Sequence, residues 1–554
     1  MDGQKWGQTG LPEGVGRALR LLVCTATALL LLTSCARESR PLGTPNPIGG
    51  PFGRFLASSS DLGPARGHRV QLTVALHDSA RPQTLIGWAE SHRLSVRWRP
   101  GDNYAYISGG PDDLSRAFGV AVHDYRSLDG QVFYASQRQP EIPAVVRSEV
   151  VELGRILSYN PTHVVRPPML PLDVPNRALT PLELQTTYNA TPLASTGTGQ
   201  TVVFFEFDSF EQSDLDKFSE KFNLPHFTPT ERGQKLPPDG EAAMDLQVVH
   251  AIAPDAQTVI YYLSLPDDNH AAYASLANTM EQADSEFPGA VWSLSIGMGC
   301  DTMDKAADLL PVRNAMAAAE NHGTSIFIAA GDDGGYDCKG YGKFGTPDFS
   351  TPPINGEIGL SSLASVPEAT DAGGTTLSTD VHGVWAAEEG WAEYPSTRGT
   401  GGGVSTLFGR PAWQSRVSLP PNPVFSQRSI PNPATQRLTP DISADADPGS
   451  GVAFFLDGDI NSGGGTSQSA PIWAGLTTLM NQYLTRRGGH RLGNLNQLLY
   501  QVATNRARPA FHDVALGGNA VYQSGPGFDL ATGLGTPDTA NLVNDILDIQ
   551  KAGR

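Results

Sequence analysis

Hydrophobic positions along the chain fall into two unlike patterns. In the first, "VQLTVAL" (70–76) alternates apolar and polar residues as a half-buried strand does. "RPQTLIGWAESH" (81–92) and "PDDLSRAFG" (111–119) space their apolar residues as short helices, and "SVRW", "YAYISG", "VHDY" and "VFYAS" predict further strands. These segments predict a small α+β (ferredoxin-like) unit over 67–156, preceded by a Pro-, Gly-, Ser- and Arg-rich stretch, 36–66, expected to be a flexible tether. Residues 157–177, containing "SYNPTHVVRPPMLPLDVPN", are proline-rich and predict an exposed linker. In the second pattern, "QTVVFFEF", "QTVIYYLS", "AVWSLSIG" and "TSIFIAAG" are short apolar runs separated by helical stretches such as "AADLLPVRNAMAAAENH". Runs of this kind suit strands buried on both faces, so 178–548 is expected to form an α/β domain, a parallel sheet with helices on both faces.

Composition narrows the partners. With 39 basic against 57 acidic residues the net charge is -18, which argues against nucleic acid or an anionic membrane surface. At the N-terminus Arg17 and Arg20 precede an apolar run, Leu21 to Leu32, that is short for a bilayer span, and "LTSC" (32–35) follows it. Residues 1–35 therefore resemble a bacterial lipoprotein signal peptide, with Cys35 as the acylated residue. The alternative is an ordinary secretory signal; either reading expects an extracellular or cell-surface protein. Cys24 lies within the signal, which leaves Cys300 and Cys338 for the folded part. Export favours a disulfide between them, but their spacing does not place them within bonding distance.

Three stretches could carry chemistry. In "DGEAAMDLQVVHAIAP" Glu241 and Asp245 stand four apart, on one face of a helix whose other positions include Met244, Val248 and Ile252. A half-buried carboxyl pair can hold one proton and act as a base of raised pKa, although a solvated acidic first turn has the same sequence. "TSIFIAAGDDGG" stops abruptly at Gly331 and Asp332, where a protonated carboxyl could donate to an oxyanion or simply close a turn. In "GGTSQSAP" (464–471) Ser467 is a nucleophile or a cap for the helix that follows, with Pro471 suited to its first turn.

In this order the three stretches resemble the sedolisin family of serine-carboxyl peptidases, over about residues 67–546. "GGTSQSAP" resembles its serine motif, "GEAAMD" its Glu-x-x-x-Asp helix and "AAGDDG" its oxyanion-aspartate turn. The resemblance implies a subtilisin-like fold with Ser467 as nucleophile, Glu241 as base, Asp245 as the partner that orients Glu241, and Asp332 as oxyanion donor. It also implies that the N-terminal unit is an activation prodomain. "HDV" and "SGPGFDLATGLGTP" resemble the family's calcium loop, implying one calcium ion held by the carboxylates of Asp513 and Asp529 and the carbonyls of Val514, Gly525 and Gly527. Oxygen-only ligation suits that hard cation.

A Ser-His-Asp reading would draw on "HGT" (322–324), but this sequence closes a helix instead of opening one, so His322 and Gly323 are expected at a helix end. Of two further family-like segments, "RGTGGGVSTLFGRPAWQ" is expected to supply cleft backbone and "PDISADADP" to be mainly structural. The chain departs from many relatives at Ser293-Leu294-Ser295-Ile296-Gly297, where Ile296 replaces a tryptophan, while Glu206 matches an accessory glutamate of some members. The expectation is a monomeric, acid-active endopeptidase acting on proteins or peptides and bound by its own prodomain, touching membrane only through lipid at Cys35. Tripeptidyl-peptidase action and a non-catalytic surface binding lipoprotein are the alternatives.

Overall fold

The computed structural model describes residues 47–128, 130–159, 162, 163, 170, 171, 178–266, 268–338, 358–394, 396–418, 430–505 and 507–553. The signal segment with Cys24 and Cys35, and most of the proline-rich linker, lie outside them.

The predicted apolar runs form the centre of an eight-stranded sheet. Its strands are β1 (Thr201–Glu206), β2 (Thr230–Arg232), β3 (Gln257–Tyr262), β4 (Val291–Leu294), β5 (Ser325–Ala329), β6 (Thr370–Thr379), β7 (Trp385–Gly390) and β8 (Ile442–Asp445). Their spatial order is β2-β3-β1-β4-β5-β6-β7, with β8 also paired to β6. Every pairing is parallel except that of β6 with β7, where a tight turn returns the chain. Four helices cover the two faces: α1 (Glu241–Ile252), α2 (Asn269–Glu286), α3 (Leu310–Asn321) and α4 (Thr466–Arg486). Alternation along β1 shows which helix lies where. Val202 and Phe204 pack with α1 and α4, whereas Val203 and Phe205 pack with α2 and α3. Because β1, β4 and β5 run parallel, their carboxyl ends come together, and Glu206, Ser295 and Asp332 stand at or just beyond those ends.

The N-terminal unit contains the four-stranded antiparallel sheet predicted from 70 onward. Its strands, Val70–Leu76, Ser95–Arg97, Tyr104–Gly109 and Val150–Leu153, stand in the spatial order second, third, first, fourth. Helices Gln83–Ser91 and Pro111–Phe118 supply Leu85, Ala89, Leu114 and Phe118 to its core, giving the β-α-β-β-α-β arrangement of ferredoxin-like folds. The tether is shorter than expected. A helix at Gly50–Ser58 and a strand at Ser60–Pro64 occupy residues assigned to it, since Phe52 and Leu56 bury themselves against Tyr125, Phe133 and Tyr159. Leu157 and Tyr159, assigned to the linker, are buried in that same cluster. These apolar residues of the expected tether and linker thus belong to a second small core, which also includes Cys300, Met303 and Cys338.

Polar groups are buried in the seam between the two units. His270 Nδ1 lies 3.1 Å from Thr73 Oγ1 and its Nε2 lies 2.9 Å from the Arg155 carbonyl. Asp308 accepts from the Arg155 N–H at 3.1 Å, and Tyr134 donates to Asp268 at 2.6 Å. At the rim, Arg99 grips Glu281 through two nitrogens at 2.6 and 2.8 Å.

Candidate active site

Ser467 is the second residue of α4, which is buried through most of its length. None of the serine or threonine side chains at its start caps the helix; Gly465 precedes it at φ 82°, and the Thr466 side chain turns to Asp332. Pro471 is the sixth residue of α4, not part of its first turn. Having no N–H, it leaves the Ser467 carbonyl without its intrahelical donor. Ser295 Oγ lies 3.0 Å from that carbonyl and 2.6 Å from Asp245 Oδ2, so its single proton is within reach of both acceptors. One hydroxyl thereby joins the serine turn to the acidic helix.

Helix α1 is buried at every position. Its N-terminal N–H groups are capped from outside: Asp208, just beyond β1, accepts from Asp239 at 2.9 Å, Glu241 at 3.1 Å and Ala242 at 3.0 Å. Gly240, at φ 115°, makes the turn that permits this. Burial pushes Glu241 well above the ordinary carboxylate range; Asp245 adds to the rise and the Ser467 hydroxyl opposes it. Asp245 is also raised well above its usual value by burial, against the Ser295 hydroxyl and Glu206. Glu206 is raised by burial and then by Asp245, Asp208 and Glu241. Burial takes Asp208 up to about 6 despite its backbone donors. Ser467 and Glu206 thus act electrostatically on Glu241 and Asp245, but both oxygens of Glu206, both of Glu241 and Asp245 Oδ1 lack a partner at full hydrogen-bond geometry. Such a group of buried, under-satisfied acids is poised to share protons.

Asp332 lies three residues beyond β5. Its Oδ1 accepts the Thr466 N–H at 2.8 Å and the Thr466 hydroxyl at 2.9 Å. Burial raises its pKa; those two donors and Arg398 oppose the rise. Gly401, in the glycine-rich segment expected to line the cleft, donates to the Gly331 carbonyl at 2.6 Å, and a Cβ there would lie 2.2 Å from the Ala330 oxygen. Asp332 and Ser467 both line an open cleft, whose walls include Ser295, Ile296, Gly297 and Thr466. The structure therefore gathers all four predicted site residues, Asp245 and Glu241 beneath the cleft and Asp332 and Ser467 on it. Sequence reasoning missed the connecting roles of Ser295, Asp208 and Thr466. The clues were a second serine at the end of a buried strand, an acid just past another, and the threonine next to Ser467.

Asp513 and Asp529 each bind backbone N–H groups of one glycine-containing loop. Asp513 accepts the Gly527 N–H at 2.9 and 3.0 Å, while Asp529 accepts from Gly525, Ala531 and Thr532 N–H groups at 2.8–2.9 Å. The Val514 carbonyl lies 3.4 Å from Thr532 Oγ1, which also touches Asp529. Burial lifts Asp529 to about 6 against these donors. Carboxylate and backbone oxygens are the donor type a hard cation takes, although in this structure both carboxylates are engaged by loop N–H groups. Elsewhere, Cys300, Asp301 and Cys338 cluster like metal ligands, but the two sulfurs form a disulfide. His322 stands at the end of α3, 2.7 Å from Asp284, with Gly323 at φ 90°, as its helix-end reading expects.

The Subtilase family profile matches residues 238–515, half of the chain. Kumamolisin of Bacillus sp. (strain MN-32) is 28% identical over 501 residues, 83% of this chain and 82% of the relative. Sedolisin of Pseudomonas sp. (strain 101) is 27% identical, covering 78% and 73%, and tripeptidyl-peptidase 1 of Homo sapiens is 25% identical, covering 78% and 76%. The solved structure of Pseudomonas sedolisin, a serine-carboxyl proteinase complexed with two molecules of pseudo-iodotyrostatin, superposes with a TM-score of 0.54 at 27% identity, over 67% of this chain and 98% of that one. The chain belongs to the subtilase family and, within it, to the sedolisin group of serine-carboxyl peptidases.

Proposed function

We propose that the protein is an exported, acid-active serine-carboxyl endopeptidase precursor that cleaves proteins or peptides through an acyl-enzyme on Ser467. The observation that carries this reading is the Ser295 hydroxyl, which touches both Asp245 and the Ser467 backbone and so joins the carboxyl helix to the serine turn. The raised pKa of Glu241 suits it to take a proton from Ser467 as the hydroxyl attacks the peptide carbonyl. Asp245, beneath it, orients Glu241 and shares its proton. A neutral Asp332 donates to the oxyanion, which an ionised carboxylate cannot do. The proton on Glu241 then passes to the leaving amine, and water repeats the sequence on the acyl-enzyme.

The N-terminal unit acts as the activation prodomain. Supporting this, two described pieces of the linker pair with strands of the catalytic domain near the site. Thr162–His163 pairs antiparallel with Gly297–Met298 on the cleft wall, and Leu170–Pro171 pairs with Asn461–Ser462 shortly before Ser467. A strand added to a cleft edge is how an extended peptide substrate binds. Export, by a lipoprotein-type or ordinary signal, is supported by the Cys300–Cys338 disulfide, because such bonds persist outside the reducing cytosol. A hard cation such as calcium, bound by Asp513, Asp529 and the carbonyls of Val514, Gly525 and Gly527, would brace the C-terminal loop.

The similarity to tripeptidyl-peptidase 1 favours a second reading, removal of N-terminal tripeptides. One experiment tests both. Full-length protein and S467A are incubated at pH 3–8 with a denatured protein, and the product termini are sequenced. Internal cuts in acid, absent with S467A, are expected; tripeptides alone would select the second reading. No cleavage at any pH, or an optimum above neutrality, would sink the assignment of roles.

A further inference from the structure

The Thr466 side chain has a fixed hydrogen-bond polarity. Its Oγ1 receives the Gly331 N–H at 3.0 Å, and an N–H can only donate, so the hydroxyl proton is left to point elsewhere. Asp332 Oδ1 stands 2.9 Å away, and the same oxygen accepts the Thr466 N–H at 2.8 Å. Two donors aimed at one carboxyl oxygen occupy its lone pairs. When Asp332 is neutral, its proton must then reside on the other oxygen, Oδ2, for which the described residues show no such donor.

We infer that Thr466 is a positioning residue that selects the Asp332 oxygen carrying the proton, so that the acid presents its O–H to the cleft it shares with Ser467. This inference rests on the reading of Asp332 as oxyanion donor and adds a requirement to it. A neutral carboxyl free to place its proton on either oxygen would offer a lone pair to the oxyanion part of the time. Because Thr466 adjoins Ser467 at the start of α4, a single turn of helix sets both the nucleophile and the direction of the acid opposite it. The other charged groups that act on Asp332, or on which it acts, are Arg398, Glu241 and Glu393; Asp337 lines the same cleft. All of these are left unchanged by a substitution at Thr466.

The sign of the pH effect separates positioning from mere support. The Thr466 hydroxyl favours ionised Asp332, so its removal raises the pKa of the acid and moves the alkaline limb of activity to higher pH. Loss of proton direction lowers the rate at the same time. Full-length wild type, T466V, T466S and D332A are processed by trace wild-type enzyme, and kcat, KM and melting temperature are measured from pH 3 to 8. T466V is expected to lose about tenfold in kcat, the scale of one hydrogen bond, with KM little changed and the alkaline limb displaced upward. T466S should restore both the rate and the limb. If T466V does not fold, T466A provides the same measurement. A folded variant whose limb stays in place or moves down overturns the inference while leaving the Asp332 reading intact. D332A with wild-type activity overturns that reading itself.

Discussion

Two acidic regions of the protein treat their carboxyls in opposite ways. Beneath the cleft, five oxygens of Glu206, Glu241 and Asp245 are buried without a partner at full hydrogen-bond geometry. In the loop at 513–532 the Asp529 carboxyl, equally buried, receives three backbone N–H groups and a threonine hydroxyl. An under-satisfied acid is costly to keep and ready to exchange protons, whereas a fully satisfied one holds a loop in shape. Burial alone therefore does not mark a reactive acid here. What distinguishes the cleft group is burial combined with missing partners and mutual repulsion.

The comparison fails most visibly if the cleft acids are dispensable. S467A and E241A should each lower kcat/KM by about a millionfold, and the double variant by little more, because groups that work as a unit are not additive. Separate, additive losses measured on a peptide substrate would mean that Glu241 does not act through Ser467. Next in size is D332A, expected to cost about a hundred- to a thousandfold in kcat. D332N should lose less. The Thr466 N–H would hold the amide oxygen and leave the NH2 group facing the cleft, so its activity should persist to higher pH than that of the wild type.

Much of this was legible in the sequence, and for physical reasons. The four strands at 201–206, 257–262, 291–294 and 325–329 have continuous apolar centres because both faces are covered, and that pattern is readable without coordinates. The four candidate residues stand out because a carboxyl in an apolar helix, an acid at a strand end and a serine at a glycine turn each break the local pattern. Three other features were illegible because they depend on long-range contacts. Asp208 caps a helix more than thirty residues away, Ser295 reaches across to Asp245, and Phe52 and Leu56 give the tether a core through Tyr125 and Phe133. Pro471 was misplaced for a related reason. A proline favours a first turn by statistics, but here it stands deeper in the helix, where the carbonyl it frees has the Ser295 hydroxyl within reach.

The balance of acids also sets stability. Away from the cleft, burial raises Asp301 and Asp308 to about 6 and Glu388 to about 7. Each holds its proton more tightly in the folded chain than in the unfolded one, where carboxyls titrate near pH 4. Their stabilising contribution is complete below that value and is lost as pH rises through 6 to 7. Full-length S467A, chosen so that no self-processing is expected, should melt about 10 °C lower at pH 7 than at pH 4 by calorimetry. A melting temperature that instead rises over this interval would show that these acids are ionised at no cost.

The smallest expected effect tests the satisfied side of the comparison. If Asp513 and Asp529 brace the C-terminal loop through a hard cation, chelation should lower the melting temperature by about 5 °C at neutral pH, since ligand bound only to the folded state stabilises it by mass action. D513N should reproduce the loss and abolish the response to chelator. The loop lies at the end of the chain's second pattern, and its carboxylates are engaged with Gly525 and Gly527 N–H groups, not with the acids under Ser467. Chelation should therefore leave the positions of the acid and alkaline limbs of the activity profile in place while reducing the lifetime of the enzyme at high temperature. If the limbs shift with the metal, the two acidic regions are coupled, and the contrast between a proton-sharing cleft and a structural loop breaks down. If neither melting nor lifetime responds, and metal analysis of the purified protein finds no cation, the backbone donors on Asp529 are sufficient by themselves to hold the loop.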